Sequence, residues 1–290
     1  MSLDKKLFQQ PPNKLLASLP ASDYERLVRH LKLVSLPVQQ VLYQAAEPIT
    51  HVYFPDKSVV SIVTTMEDGS TAEVGIVSNE GMVGIPLILG DDTTTTTAFV
   101  QISGAAMQLD ADVLKAEFNR GGVLQTLLLC YVQAIYSELA QGAACNRLHT
   151  LEERLARWLL TVSDRLESED FPLTQEFISQ MLGVRRSGVT VAASTLSRAG
   201  MIRYQRGHIS ILNRENLEAK RGRKIPAIAL TASTFEEHRK RARLAGYDRY
   251  QCKPIDIDEL ASVVASLRNS NNTFDISAYN REICKQESFN

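Results

Sequence analysis

Hydrophobic positions follow a helical rhythm at the start of the chain, a strand rhythm through its first third, and a helical rhythm again beyond. Over residues 14–33 the apolar side chains Leu15, Leu16, Leu19, Tyr24, Leu27, Val28 and Leu31 recur every three to four positions, which predicts one or two short amphipathic helices. From Val38 to Leu109 the period falls to two. Segments 41–43, 52–54, 59–64, 72–77, 99–102 and 105–109 read as strands, and Asp68 with Gly69 supplies a tight hairpin turn. Many short antiparallel strands joined by such turns predict a β-roll of the jelly-roll kind.

A long helix is predicted over about residues 121–145. Leu124, Leu128, Tyr131, Ile135 and Leu139 recur close to heptad spacing, and Leu127 and Val132 widen the stripe. The stripe is either buried inside its own domain or forms the seam of a homodimer, through Leu124, Leu128, Tyr131 and Ile135. The second reading is favoured because the module that follows is of a kind that reads two half-sites. A further amphipathic helix is predicted over residues 146–166, with Leu151, Leu155, Trp158, Leu159 and Val162 on its apolar side. No apolar run reaches the ~18 residues that a membrane span needs, so no membrane partner is expected.

Residues 173–207 carry the most informative pattern. Thr174 can cap a helix whose apolar face is Phe177, Ile178, Met181 and Leu182, and Gly183 then allows a sharp left-handed turn. A second helix opens with Arg185, Arg186, Ser187 and Gly188 and continues through Val189, Val191, Ala192, Thr195 and Leu196. A first turn that is basic and poor in bulk suits an element entering the major groove beside phosphates. Gly200 stops it, and two short alternating strands around Arg206 and Gly207 form a wing. A plain helical hairpin with solvated arginines is the alternative; a wing carrying Arg203 and Arg206 favours binding of double-stranded DNA. The candidate DNA-binding residues are Thr174, Gln175, Arg185, Arg186, Ser187, Thr190 and Arg206.

Charge sharpens this picture. The net charge of −1 over 290 residues hides an asymmetry. Residues 1–145 carry 9 Lys/Arg against 15 Asp/Glu, whereas residues 146–224 carry 14 against 9. Positive charge therefore sits on the segment that would neutralise phosphate. The four cysteines, Cys130, Cys145, Cys252 and Cys284, lack metal-ligand spacing, and free thiols in a cytoplasmic protein are expected. No nucleophile–base set, glycine-rich phosphate loop or metal cluster stands out, so neither catalysis nor a cofactor is expected.

The order β-roll, long helix, winged helix-turn-helix resembles the Crp/Fnr family of bacterial transcription regulators over roughly residues 10–218. The resemblance is carried most specifically by 173–202, by 152–160 (EERLARWLL) and by the strand–glycine pattern from 59 to 109. It implies an α+β multidomain chain: a cyclic-nucleotide-binding-like roll with its dimer helix (10–145) and a winged helix-turn-helix (146–218). It also implies a homodimer that regulates RNA polymerase at specific promoters. The nucleotide cassette departs from the family. In 81–100, GMVGIPLILGDDTTTTTAFV, Gly84 survives, Ile85 and Pro86 replace the expected Gly-Glu, and Thr96 and Thr97 stand where an arginine would lead. Without that arginine a buried phosphate has no counter-charge, so the pocket of Gly84, Thr96 and Thr97 is expected to be degenerate and cyclic AMP not to be the effector. On the second helix Arg186 matches a family arginine, while Ser187 and Val191 replace a glutamate and a second arginine.

Residues 224–268 resemble the last part of a response-regulator receiver domain, a partial α/β unit. Thr231 would be the switch hydroxyl, Tyr250 the switch aromatic and Lys253, before Pro254, the phosphate-pairing lysine. Acidic residues for an acceptor site are missing, which implies a fusion relic; the alternative is a phosphorelay-associated protein using this tail for partner contact. Residues 269–290 are polar, as in a disordered tail.

Overall fold

The structure is a computed structural model that describes residues 11–221 and, as backbone, two short strands beyond them. The chain enters through two short helices, α1 (Lys14–Ala17) and α2 (Ala21–Val28). Asn13, fully buried, anchors this entry: its Oδ1 accepts from the Leu15 and Leu16 amides, and its Nδ2 donates to Pro55 O (3.1 Å) and Gly81 O (2.9 Å). All of its hydrogen-bonding capacity is used, which removes the penalty of burying it.

Seven strands follow: β1 (Lys32–Leu36), β2 (Val41–Tyr43), β3 (His51–Asp56), β4 (Val59–Thr65), β5 (Thr71–Val77), β6 (Thr97–Ile102) and β7 (Gly104–Asp110). They form two antiparallel sheets, β1-β7-β3 and β2-β6-β4-β5, which enclose the first core. Six of these strands lie where the period-two pattern predicts. β1 does not: the helical rhythm ran on to residue 33, whereas Lys32–Leu36 pairs with β7 and buries only Leu36 deeply. Short amphipathic segments at an element boundary satisfy both periods.

The β2-β6-β4-β5 sheet is covered on both faces. Val60 and Ile62 of β4 face the roll's interior, while Val59 and Val63 join a second core built with residues 155–217. Burial on both faces explains why β4 reads as a nearly continuous apolar run.

Helix α3 (Ala111–Asn119), absent from the sequence reading, is capped by Asp110, whose side chain accepts from the Asp112 amide. Gly121 and Gly122, both at positive φ, then launch α4 (Val123–Leu148). Here the structure corrects the dimer-seam assignment. Leu124, Leu128 and Tyr131 are buried inside their own chain, and Ile135 packs partly against the same core. These side chains clasp the roll and are not free to meet a second copy. A second apolar stripe is exposed instead: Leu129, Tyr136 and Leu139, with the part-buried Val132 between them. Two apolar faces on one helix explain why α4 is, by length and composition alone, apolar enough to cross a membrane, although no single unbroken apolar run signals it.

The next helix, α5 (Leu151–Leu166), starts five residues later than predicted. Residues up to Leu148 belong to α4, His149 and Thr150 are extended, and a capping box closes the new N-terminus: Glu153 N donates to Thr150 Oγ1 and Thr150 N to Glu153 Oε2. The apolar period crosses the break without a phase change large enough to notice. β8 (Asp170–Pro172), α6 (Gln175–Leu182), α7 (Arg186–Arg198), β9 (Ile202–Gln205), β10 (His208–Ile211) and α8 (Arg214–Lys220) complete the module, with β8-β10-β9 as its small sheet. Beyond it, β11 (Ile228–Thr231) pairs in parallel with β12 (Arg249–Cys252). Thr231 ends β11 and Tyr250 is the second residue of β12; Lys253 and residues 269–290 lie outside the described residues.

Candidate nucleic-acid interface

The turn between α6 and α7 is built as the sequence predicts. Thr174 Oγ1 accepts from the Phe177 amide (3.2 Å), and Gly183 sits at φ 60°, ψ 43°, the left-handed conformation that ends α6. Arg185 is the first flanking residue of α7 and uses only its backbone there, leaving its side chain exposed. Val189, Ala192, Ala193 and Leu196 seal the inner face of α7. The outer face carries Arg186, Ser187, Thr190, Val191, Thr195 and Arg198, all exposed.

Gln175 and Thr190 do more than face outward. Thr190 Oγ1 donates to Gln175 Oε1 (2.8 Å), tying α7 to α6 and fixing the angle at which the outer face is presented. The Arg186–Glu176 pair is long, 4.0 Å between two exposed groups, and leaves Arg186 available. At the wing, Arg206 and Gly207 are both at positive φ, the geometry of a tight hairpin, and Leu173 N donates to Gly207 O (2.7 Å). The exposed Arg206 is thereby brought beside the N-terminus of α6. All seven sequence-predicted residues lie in this module. A groove beside them is lined by Gln175, Ser194, Ser197, Arg198 and Tyr204. Four of these, Ser194, Ser197, Arg198 and Tyr204, were missed, although Ser187, Ser194 and Arg198 share one side of a helix by spacing alone.

This module is fused to the roll by a mixed interface. Phe177 of α6 meets Phe99 of β6 edge-on, centroids 6.1 Å apart. Arg165 of α5, 8% exposed, bonds Glu80 in the turn after β5 (Nε–Oε1 2.9 Å) and Glu138 of α4 (Nη2 to both oxygens, 2.9 Å). Desolvation alone would lower its pKa, but Glu138 and Glu80 hold it above the ordinary range. Lys14 and Asn79 both donate to Glu167 Oε1 at the end of α5.

Trp158 of α5 donates its indole Nε1–H to Glu73 Oε1 of β5 (2.6 Å). Burial pushes the Glu73 carboxyl up to about 7, against the lowering effect of the Trp158 hydrogen bond and of Arg165. The neutral acid is the form the closed interface favours. A carboxyl raised in this way weakens the packed state as pH climbs from its solvated value of about 4.5 to about 7, roughly tenfold per unit, and has no further effect above that window. Trp158 is the chain's sole tryptophan. Its fluorescence is expected to titrate with a midpoint near 7 in the native protein and to lose that transition in Glu73→Gln. An identical transition in the variant would refute the assignment.

The roll's candidate effector residues make local contacts. Gly84, at φ 110°, lets the backbone pass over Val52, whose Cγ1 lies 2.7 Å from where a Cβ would stand. The Thr96 and Thr94 hydroxyls bond each other (3.1 Å), and Thr97 Oγ1 accepts from the Ala45 amide. The crevice between the roll and α4 is filled by Tyr131, whose hydroxyl donates to Met82 O (3.4 Å). A Cβ at Gly81 would stand 1.9 Å from that hydroxyl, so Gly81 is the space Tyr131 occupies.

A module of this shape joined to a β-roll through a long helix defines a DNA-binding regulator. Comparison with known proteins agrees: the cyclic nucleotide-binding domain matches residues 33–120 and the Crp-like helix-turn-helix domain residues 153–220. Among solved structures, the chain resembles FixK2 from Bradyrhizobium japonicum (18% identity, TM-score 0.59, covering 67% of this chain and 98% of that one). It also resembles the c-di-GMP-responsive global regulator CLP from Xanthomonas campestris (14%, 0.55, 66% and 99%). A third is a CRP/FNR-family regulator from Thermus thermophilus (18%, 0.55, 67% and 100%). No curated protein matches. By its two domains the chain is a transcription regulator of Crp/Fnr type. The phosphorelay alternative finds no support in these matches.

Proposed function

We propose that the chain is a cytoplasmic homodimer that binds a two-fold symmetric DNA site, placing α7 of each copy in a major groove, and regulates transcription by RNA polymerase. The observation that carries this is the outer face of α7: exposed along its length, sealed on its opposite side, and flanked by the basic wing. Arg186 reads a base edge, with Arg185, Ser187 and Thr190 beside it, while Arg206, Thr174 and the groove at Arg198 hold the backbone. The dimer seam is the exposed stripe of α4. Leu129, Val132, Tyr136, Leu139 and Ala143 are spaced 3, 4, 3, 4, a heptad seam. The tail 224–268 is a receiver-like remnant that accepts no phosphoryl group; the parallel pairing of β11 with β12 fits that origin.

Arg186→Ala is expected to cost about 1–3 kcal/mol on a selected site and to relax one base position per half-site. Arg206→Ala is expected to weaken binding to all sequences and to flatten the salt dependence. Binding titrations on selected and random DNA check both; equal effects of the two changes on both DNAs would refute these roles.

The effector of this roll is not a cyclic nucleotide held through its phosphate. No lysine or arginine occurs in 81–100, Asp91 and Asp92 lie in its loop, and Arg165 is committed to two carboxylates. Calorimetric titration with cyclic AMP or cyclic GMP is expected to show no saturable heat at micromolar concentrations. A one-to-one isotherm would contradict this.

A further inference from the structure

We infer that Val191 is a specificity-determining residue that reads the C5-methyl group of a thymine in each half-site. The inference rests on the reading of α7 as the groove-entering helix and deepens it.

The exposed face of α7 is polar except for this side chain. Val191 is 61% exposed, whereas the other valine of the helix, Val189, is fully buried. At about 100° per residue, the buried stripe of Val189, Ala192, Ala193 and Leu196 defines an inner pole. Ser187, Val191, Ser194 and Arg198 all fall within about 30° of the opposite pole. Arg186 and Thr190 lie to one side, where Gln175 and Glu176 of α6 meet them. Val191 therefore stands at the crest of the surface that enters the groove. Burial does not explain an apolar residue there, since the side chain stands mostly in solvent; its carbonyl accepts from Thr195 Oγ1 (3.0 Å).

A valine has no donor or acceptor, so it cannot discriminate bases by hydrogen bonding. The apolar feature that the major groove displays is the thymine methyl, carried by T and by no other base. Burying one methyl against the two γ-methyls of Val191 supplies discrimination of about fourfold per half-site, the transfer of one apolar carbon out of water. Ser187 and Ser194, one turn to either side, are short enough to let that contact form.

The test uses the full chain and a site selected from random DNA. Each thymine of the selected site is replaced in turn by deoxyuridine, which removes the methyl and nothing else. At one position per half-site, affinity is expected to fall about fourfold. Val191→Ala, a helix-compatible change at an exposed position, is expected to bind thymine and uracil equally there, while the base preference set by Arg186 and the salt dependence remain those of the parent. Absence of any methyl-dependent position, or thymine–uracil discrimination that persists in Val191→Ala, overturns the inference and leaves the groove reading of α7 standing. Failure to select any sequence overturns both.

Discussion

Arg165→Ala is expected to lower the free energy of unfolding by about 3–5 kcal/mol, the largest effect of any single polar change considered for this chain. The side chain is buried, and it neutralises Glu80 and Glu138 together. Removing it leaves Glu80, itself 9% exposed, as an unpaired buried carboxylate beside the phenol of Tyr131, whose own ionisation burial already suppresses. The loss also unties three elements at once: the turn after β5, the long helix and the first helix of the DNA-binding module. Glu138→Gln is expected to cost much less, because Glu138 is 39% exposed and water can replace its partner. Chemical denaturation of both variants checks the ordering; equal losses would show that burial at Glu80 is not the decisive factor.

The second large effect concerns assembly. Tyr136→Asp with Leu139→Asp, on the exposed stripe of α4, is expected to give a folded monomer. Its affinity for the symmetric site should drop by a factor of 10²–10⁴, roughly the gain from tethering two recognition helices. Leu128→Asp, by contrast, places a charge in the first core and is expected to unfold the roll. Sedimentation and circular dichroism separate the two outcomes. A native dimer in the double variant would place the seam elsewhere.

The strands from Val41 to Leu109 were legible because their apolar residues come in short runs or alternate at period two, broken by turn residues such as Asp68 and Gly69. The helix-turn-helix was legible because its features are local: a capping threonine, a left-handed glycine, a sealed face and a glycine-tipped wing. The side of α4 that meets the roll was not, since a heptad stripe says that a surface is covered and not by what. The α4–α5 break at His149 was hidden because the apolar period continues across it, although Thr150 with Glu153 is a capping-box signature that was there to be read. The Glu73–Trp158 and Arg165–Glu80 pairs join residues 85 positions apart in each case, and no local pattern announces them.

Reading of a specific DNA sequence by α7 and the wing as a symmetric pair leaves a direct signature on DNA. Selection from a random duplex pool by the purified full-length chain, followed by footprinting of the enriched sequence, tests it most directly. The expected result is an inverted repeat with half-site centres about 34 Å apart, one turn of the double helix, and protection of both major grooves. A pool that emerges without sequence enrichment, bound only through a salt-dependent, sequence-indifferent attraction, would contradict it.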